Sequence, residues 1–470
     1  MNVVYLSPGF PAEMPLFVRG LAQVGAKVYG VGDQPMQALP EEARGSLTDY
    51  LQVRSFGDEQ AVVEEIRGWL RGKSVDRVEC MWERLMYLAA TLRETFSVPG
   101  MTKAQTEIVR DKELMKQAVE KAGLRVPRHG RARSMQEAWD VVERVGYPAI
   151  LKPIDGAGSG DTFRCKDRDE FEAALHKTRH VDELSVEEFI EGEELTYDTV
   201  CADGDILFEN VAWYRPKPLV ARQNPWMSPQ AVCLADLEQP EVAPGVELGR
   251  RALKALGYRT GMAHMEWYLS DRTGEAIFGE VGARAPGGRL SHGMNYACDG
   301  DVFRLWAEAI TRGTSEQSMD RRFNAALVFK RAHGDGQIVT RIGGLEPILA
   351  RDGERLPVVE LVPIGAPHSI VCTLPIAPHS ARHGTRFAPA SVQKCTWSTP
   401  PLQSAYTPRS SPTASAASSV PPPSSALSPS SPRAGELEVG GRRKVRGKSA
   451  ARARPRPTRT CCTSRTTDTQ

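Results

Sequence analysis

The stretch LKPIDGAGSGD, residues 151–161, sets one lysine four positions ahead of a run in which every second residue is glycine. Glycine-rich loops suit phosphate because their backbone N–H groups can approach an anion closely. The P-loop pattern needs a lysine directly after its last glycine, and Lys152 stands before the glycines instead. A dinucleotide loop joins a strand to a helix. Here the next residues, TFRC, alternate like a strand, and helical spacing begins only after Asp167, an N-cap with Glu170 three positions on. The loop is therefore expected at the tip of a β-hairpin, with Lys152 on the incoming strand. Gly156, Ala157, Gly158, Ser159 and Gly160 would fold over a polyphosphate. An ordinary flexible hairpin fits the same residues.

Carboxylates supply the next signals. The strand-like SVEEFIEGEELTYDTV carries Glu187 and Glu194, with Phe189 and Ile190 between them. An extended backbone with apolar side chains can read an adenine edge, and a nearby carboxylate can accept from an amino group or a ribose hydroxyl. A surface strand with solvated acids is the plainer reading. Further on, HMEWYLSDRTGEAIFGEVGARAPGG reads as a β-hairpin that brings Glu266 and Glu280 together. Facing carboxylates repel unless a cation sits between them, and Mg²⁺ shared with substrate phosphates is the natural occupant. Arg284 and Arg289, set among glycines, could clamp phosphate or carboxylate oxygens. An ion pair of Glu280 with Arg284 is the alternative. His264 is open to two readings, substrate contact or a buried, hydrogen-bonded ring.

These residues need elements to hold them. Strand-like and helical stretches alternate over residues 1–100, which implies a doubly wound parallel sheet of Rossmann-like type. A change of domain is expected near residue 101, with paired helices, then the lysine hairpin, then strands and turns to about residue 320. Residues 321–368 suggest a small β-rich piece. From 369 to 470 the texture turns Ser/Pro-rich and then Arg-rich, which cannot build a core, and disorder is expected there. That switch resembles a reading-frame change or a spliced-on end, with a genuine basic tail as the alternative. The tail holds 15 Lys and Arg against 3 Asp and Glu, while residues 1–368 hold 45 against 55, so the body has no bulk bias toward nucleic acid. No apolar run approaches a membrane span. Nine scattered cysteines without a CxxC pair suit reduced thiols in the cytoplasm.

Taken in order, these motifs resemble the ATP-grasp superfamily of carboxylate–amine ligases, the group around biotin carboxylase, D-alanine–D-alanine ligase and dipeptide ligases. The resemblance covers roughly residues 1–365. It implies an α/β and α+β multidomain chain: a Rossmann-like pre-ATP-grasp domain, a two-lobed ATP-grasp fold, a small and truncated C-terminal β-rich piece, and the tail. RDKELMKQAVEKAGLRVP looks like the family's opening helix, which implies that Lys112 reaches the nucleotide phosphates, joined by Lys152 and the glycine lid. VEEFIEGEELT looks like the hinge, which implies Glu187, Phe189 and Ile190 at adenine and Glu194 at the ribose. The last motif implies Glu266 and Glu280 as ligands of Mg²⁺ or Mn²⁺, Arg284 at the transferred phosphate and Arg289 at the substrate. Many members carry Glu-x-Asn at the metal, whereas Gly282 stands in the asparagine position, so one or two ions remain open. Members with Glu-x-x-x-Arg there suggest that Arg284 compensates. The implied activity joins a small carboxylate, activated with ATP as an acyl phosphate, to an amine or another nucleophile. A small-molecule kinase and a nucleotide-binding protein without turnover are the alternatives, and a homodimer is compatible with all three.

Overall fold

The computed structural model describes residues 1–155, 160–224 and 226–331, positions 347 and 350, and two further strands, 358–362 and 369–376. These lie within one compact unit, Met1–Ala405; a second unit, Tyr406–Gln470, falls outside the described residues.

The chain begins with β1 (Asn2–Leu6), α1 (Met14–Gln23), β2 (Lys27–Gly32), α2 (Glu41–Ser46), β3 (Asp49–Gln52), α3 (Glu59–Trp69), β4 (Arg77–Glu79) and α4 (Met86–Phe96). The strands pair in parallel in the order β3-β2-β1-β4. Alternation along β1 shows why its sequence is apolar throughout. Val3 and Tyr5 pack on the α1 side with Phe17 and Leu21, while Val4 and Leu6 join Val62, Ile66, Leu88 and Leu92 on the other. A sheet covered on both faces needs a continuous hydrophobic run.

Next come α5 (Lys103–Arg110), α6 (Lys112–Lys121), β5 (His129–Ala132), α7 (Met135–Val145), β6 (Ala149–Pro153), β7 (Phe163–Cys165), α8 (Arg168–Lys177) and β8 (Leu184–Glu188). Asp111 accepts from the N–H groups of Glu113 and Leu114 and so starts α6 at Lys112. The four strands form an antiparallel sheet, β5-β8-β6-β7, with a core that α7 and α8 share. The expected hairpin is present as β6 and β7, and its tip, residues 156–159, lies outside the described residues.

The largest layer follows, made of β9 (Gly192–Ala202), β10 (Asp205–Asn210), β11 (Ala212–Arg215), α9 (Pro218–Gln223), β12 (Gln230–Cys233), α10 (Ala243–Ala255), β13 (Gly261–Ser270), β14 (Ala276–Gly282), α11 (Leu290–Cys298), α12 (Val302–Arg312), β15 (Asn324–Arg331), β16 (Val358–Val362) and β17 (Ser369–Ile376). Its strands run β14-β13-β9-β11-β12-β15-β17-β16, with β10 on β9. Two sequence boundaries shift here. The β-rich stretch that opens near residue 321 does not stand apart, because β15 pairs with β12 in the large sheet. Residues 369–376 belong to that sheet too, since β17 pairs with β15 and β16. The run SIVCTLPI is β-prone, but the proline-bearing stretch before it masks the strand in the sequence. The remainder of the tail lies outside the described residues.

Candidate functional site

The two antiparallel sheets present their functional strands to one cleft. On β6, Lys152 sits in register with Ser185 of β8, and Glu187 lies two residues further along β8 on the same face. From α6 come Lys112 and Lys116, four residues apart and therefore stacked on one side of the helix. Glu187 is buried and takes three partners. The Lys116 ammonium and the Ser185 hydroxyl each donate to Oε1 at 2.8 Å, and the Lys152 ammonium lies 3.1 Å from Oε2. Burial pushes the Glu187 carboxyl up, but Lys116 and Lys152 outweigh it and hold the group well below the usual carboxylate range. Glu187, Phe189 and Ile190 line one pocket, with the Glu187 carboxylate held by the two lysines.

Glu266 and Glu280 are direct partners across β13 and β14, as the hairpin pattern implied. The register then slips, so that Trp267 faces Phe278 and Gly279 is the extra residue. A Cβ at Gly279 would lie 2.7 Å from the Glu266 carbonyl oxygen, so the close approach depends on glycine. The two acids are in unlike surroundings. Glu280 Oε2 lies 3.5 Å from Lys152 Nζ and 3.8 Å from Lys112 Nζ. Burial raises its pKa, but Lys112, Lys152 and Lys116 overcome that and bring it down to about 2. Glu266 is raised, first by burial and then by the charge of Glu280. Glu194, opposite Tyr268 in the strand register, is pushed up to about 8 by burial and by Glu266.

Two cavities meet at these acids. The smaller, about 150 Å³, is lined by Lys152, Gly160, Phe189, Ile190, Glu194 and Tyr268 among others. The larger, about 420 Å³, is lined by Glu83, Tyr214, His264, Arg284, Leu290 and Phe329 among others. Both include Lys112, Glu266 and Glu280. Between them runs the segment around α9, with Lys217 and Val220 on the smaller cavity and Pro218 and Arg222 on the larger. The Arg164 guanidinium lies 3.9 Å from the Phe189 ring centroid, over an aromatic face in the smaller cavity.

The arginines divide. Arg284 lines the larger cavity, and both its Nε and a terminal nitrogen are 2.7 Å from Glu83 Oε2. Glu83 also accepts from Arg110. The Arg284 ion pair is therefore with Glu83 from the N-terminal region rather than with Glu280. Arg289 lines neither cavity. It has a left-handed backbone (φ 60°) before α11 and a side-chain nitrogen 3.2 Å from His292 Nε2. His264 is both buried and at the site. Its Nδ1 lies 2.6 Å from Asp198 Oδ1, and its Nε2 lies 3.8 Å from Glu266 Oε1, at the wall of the larger cavity. Asp198 is held in turn by the Thr196 hydroxyl and the Asn210 amide.

Sequence reasoning passed over Lys116, Glu83 and Asp198. For Lys116 a signal existed, the K-x-x-x-K spacing from Lys112 on an amphipathic helix. For Glu83 and Asp198 none did, because their partners are remote in the chain.

The donor set fits MgATP. Among the described residues no group of three or more His, Cys, Asp or Glu side chains converges on a metal position. Two facing carboxylates, one of them destabilised as an anion by the other, match the usual Mg²⁺ arrangement of one or two protein carboxylates completed by phosphate and water. Lysines beside them match the phosphates.

Comparison with known proteins agrees with this geometry. Residues 109–212 match the ATP-grasp domain family. An L-arginine-specific L-amino acid ligase of Bacillus subtilis is 27% identical over 223 residues, 46% of this chain and 53% of that protein. The chain thus spans about half the length of this curated relative. The structure of an L-amino acid ligase from Bacillus licheniformis aligns with a TM-score of 0.64 at 20% identity, covering 79% of this chain and 93% of that one. N5-carboxyaminoimidazole ribonucleotide synthetase from Thermotoga maritima aligns with a TM-score of 0.60 at 17% identity, over 80% and 93% of the two chains. The lysine hairpin lies inside residues 109–212, the part of the chain that matches the ATP-grasp domain family, and the facing carboxylates follow it in the chain.

Proposed function

We propose that the protein is an ATP-dependent ligase that activates a small carboxylate and joins it to an amine or another nucleophile, releasing ADP and phosphate. The observation that carries this reading is the meeting of a smaller and a larger cavity at Lys112, Glu266 and Glu280. A nucleotide in one cavity would place its terminal phosphate at the mouth of the other. The naming of the Bacillus subtilis relative makes amino acids the first acids and amines to try.

Each residue then has a task. Phe189 and Ile190 would receive adenine and Glu194 the ribose, with residues 156–160 as the lid. Lys112 and Lys152 neutralise phosphate oxygens. Glu266 and Glu280 would hold one or two Mg²⁺ or Mn²⁺ ions, which would supply further charge neutralisation when bound. An oxygen of the acid substrate attacks the terminal phosphorus, the bond to the bridging oxygen breaks, and ADP leaves. The amine nitrogen then attacks the acyl carbon, phosphate departs with the C–O bonding pair, and the nitrogen loses a proton. Arg284, paired with Glu83, would meet charge developing in the larger cavity. The protein contributes position and charge rather than a covalent bond of its own. Arg289, held at His292, acts at most through the loop that carries it.

We assign residues 1–100 to the pre-ATP-grasp domain, 101–320 to the ATP-grasp domain and the strands after 321 to its continuation. Among the described residues no helix is long and apolar enough to cross a membrane. Cys80, Cys165, Cys201, Cys233 and Cys298 are free and buried, which suits a cytoplasmic setting. A homodimer is compatible with this reading.

Hydroxylamine in place of the amine tests the chemistry. With MgATP and a screen of amino acids and small carboxylates, a hydroxamate should accumulate together with ADP. ADP release with a phosphorylated alcohol and no hydroxamate would replace the ligase with a kinase.

A further inference from the structure

Lys116 lines neither cavity and its side chain is fully buried, yet it is built into the charged cluster behind the site. Burial strips a lysine of its hydration, and pairing with an opposite charge is what offsets that cost. A helix that needed only to fill the space would carry an aliphatic residue there. The pairing is specific. Lys116 and Ser185 occupy Oε1 of Glu187, and Lys152 approaches only Oε2. One carboxylate is thus divided between a lysine that faces the nucleotide cavity and a lysine that cannot reach it.

Counting charges shows what this division achieves. Lys112, Lys116 and Lys152 face Glu187 and Glu280, so the cluster keeps one positive charge. Without Lys116 the sum is zero, and Glu187 offers both oxygens to Lys152. In a cleft of low polarity an ion pair so released would hold its lysine tightly. We propose that Lys116 is a positioning residue: it occupies Glu187 so that the Lys152 ammonium stays directed at the nucleotide phosphates with net positive charge behind it. This inference rests on the nucleotide reading of the smaller cavity.

The test is MgADP affinity of the full chain by calorimetry, which needs no knowledge of the acid or the amine. Lys116→Met should weaken binding about tenfold or more. Lys116→Arg should stay within about threefold of wild type, since the charge is kept. The decisive variant is Lys116→Met with Glu187→Gln. It removes the competing carboxylate as well, returns the cluster to one positive charge, and should regain most of the lost affinity. A purely structural role for the pair predicts the reverse, with the double variant as weak as the single one or weaker. Wild-type affinity in Lys116→Met, or no recovery in the double variant, overturns the proposal. If Lys116→Met does not fold by circular dichroism, the double variant decides alone: near-wild-type affinity supports the proposal and lost affinity sinks it. Wild-type protein that binds no MgADP would remove the nucleotide reading itself, and this inference with it.

Discussion

Glu266 and Glu280 stand opposite each other in one hairpin, yet only Glu280 is stabilised as an anion. The difference comes from α6 and β6, whose lysines lie beside Glu280, while Glu266 faces Glu280 and the His264 ring. Such a pair can draw a divalent cation strongly, because the cation relieves Glu266 of its burial and of its repulsion from Glu280 together. In the proposed reading, replacing Glu280 by Gln removes a metal ligand and the partner of two lysines. In the same reading, Lys152→Met removes positive charge that would neutralise the phosphates. Each variant should lower MgATP turnover by a factor of about a hundred or more while circular dichroism stays unchanged. Turnover at the wild-type level in either would strike that residue from the mechanism. At this scale the sequence was most informative where chemistry is local. The Glu266–Glu280 pair was legible because a hairpin fixes its own register. The ion-pair partners of Glu187 and Arg284 were not legible, because Lys116 is 71 positions from the first and Glu83 is 201 positions from the second. No periodicity encodes such contacts.

Among the elements, α10 shows how a helix sets the height of the strands that carry the acids. Gly245 and Gly249, one turn apart, lie against Trp267 of β13 and Tyr197 of β9. A Cβ at Gly249 would stand 2.1 Å from the Tyr197 ring, and that ring is tethered through its hydroxyl to Glu209. Alanine is the better helix former by about 1 kcal/mol, so propensity alone predicts a more stable protein. Overpacking costs about 1–3 kcal/mol and should win here. Gly249→Ala is therefore expected to lower the unfolding midpoint in denaturant. Gly68→Ala on α3, where an added Cβ meets nothing within 4 Å, should raise it. A stabilised Gly249→Ala variant would mean that α10 is free to move off the sheet. Most elements were legible from period and caps: β1 from its apolar run, α8 from its Asp167 cap, the β6–β7 hairpin from its glycines. The large sheet was not, because β9 to β17 are joined by pairings between distant segments, and β17 lies beyond the point where the composition changes.

For the molecule as a whole, the first and last parts of the described chain share one core. Phe17 of α1 packs edge-on against Phe303 and Trp306 of α12, and Arg19 pairs with Asp301 at 2.8 Å. A Cβ at Gly20 would lie 2.5 Å from the Phe303 carbonyl oxygen, so the two helices touch at their backbones. The same core takes in Leu290 of α11 and Leu327 of β15, while Phe329 of β15 packs on it and lines the larger cavity. The wall of that cavity therefore depends on whatever holds β15. On one side that is β12, and on the other it is β17, paired along all eight residues of β15. A chain ended at residue 368 loses β17, leaves a long edge unpaired and exposes a strand that contributes to the core. A chain ended at residue 380 keeps it. The shorter chain should melt about 5 °C or more below the full-length protein, as a loss of a few kcal/mol would produce. The longer one should match the full-length protein in melting temperature and in MgADP affinity, since the cavities are lined by residues before 330. Equal melting temperatures for the two truncated chains would show that β17 is dispensable. Loss of MgADP affinity at residue 380 would instead assign part of the site to residues 381–470.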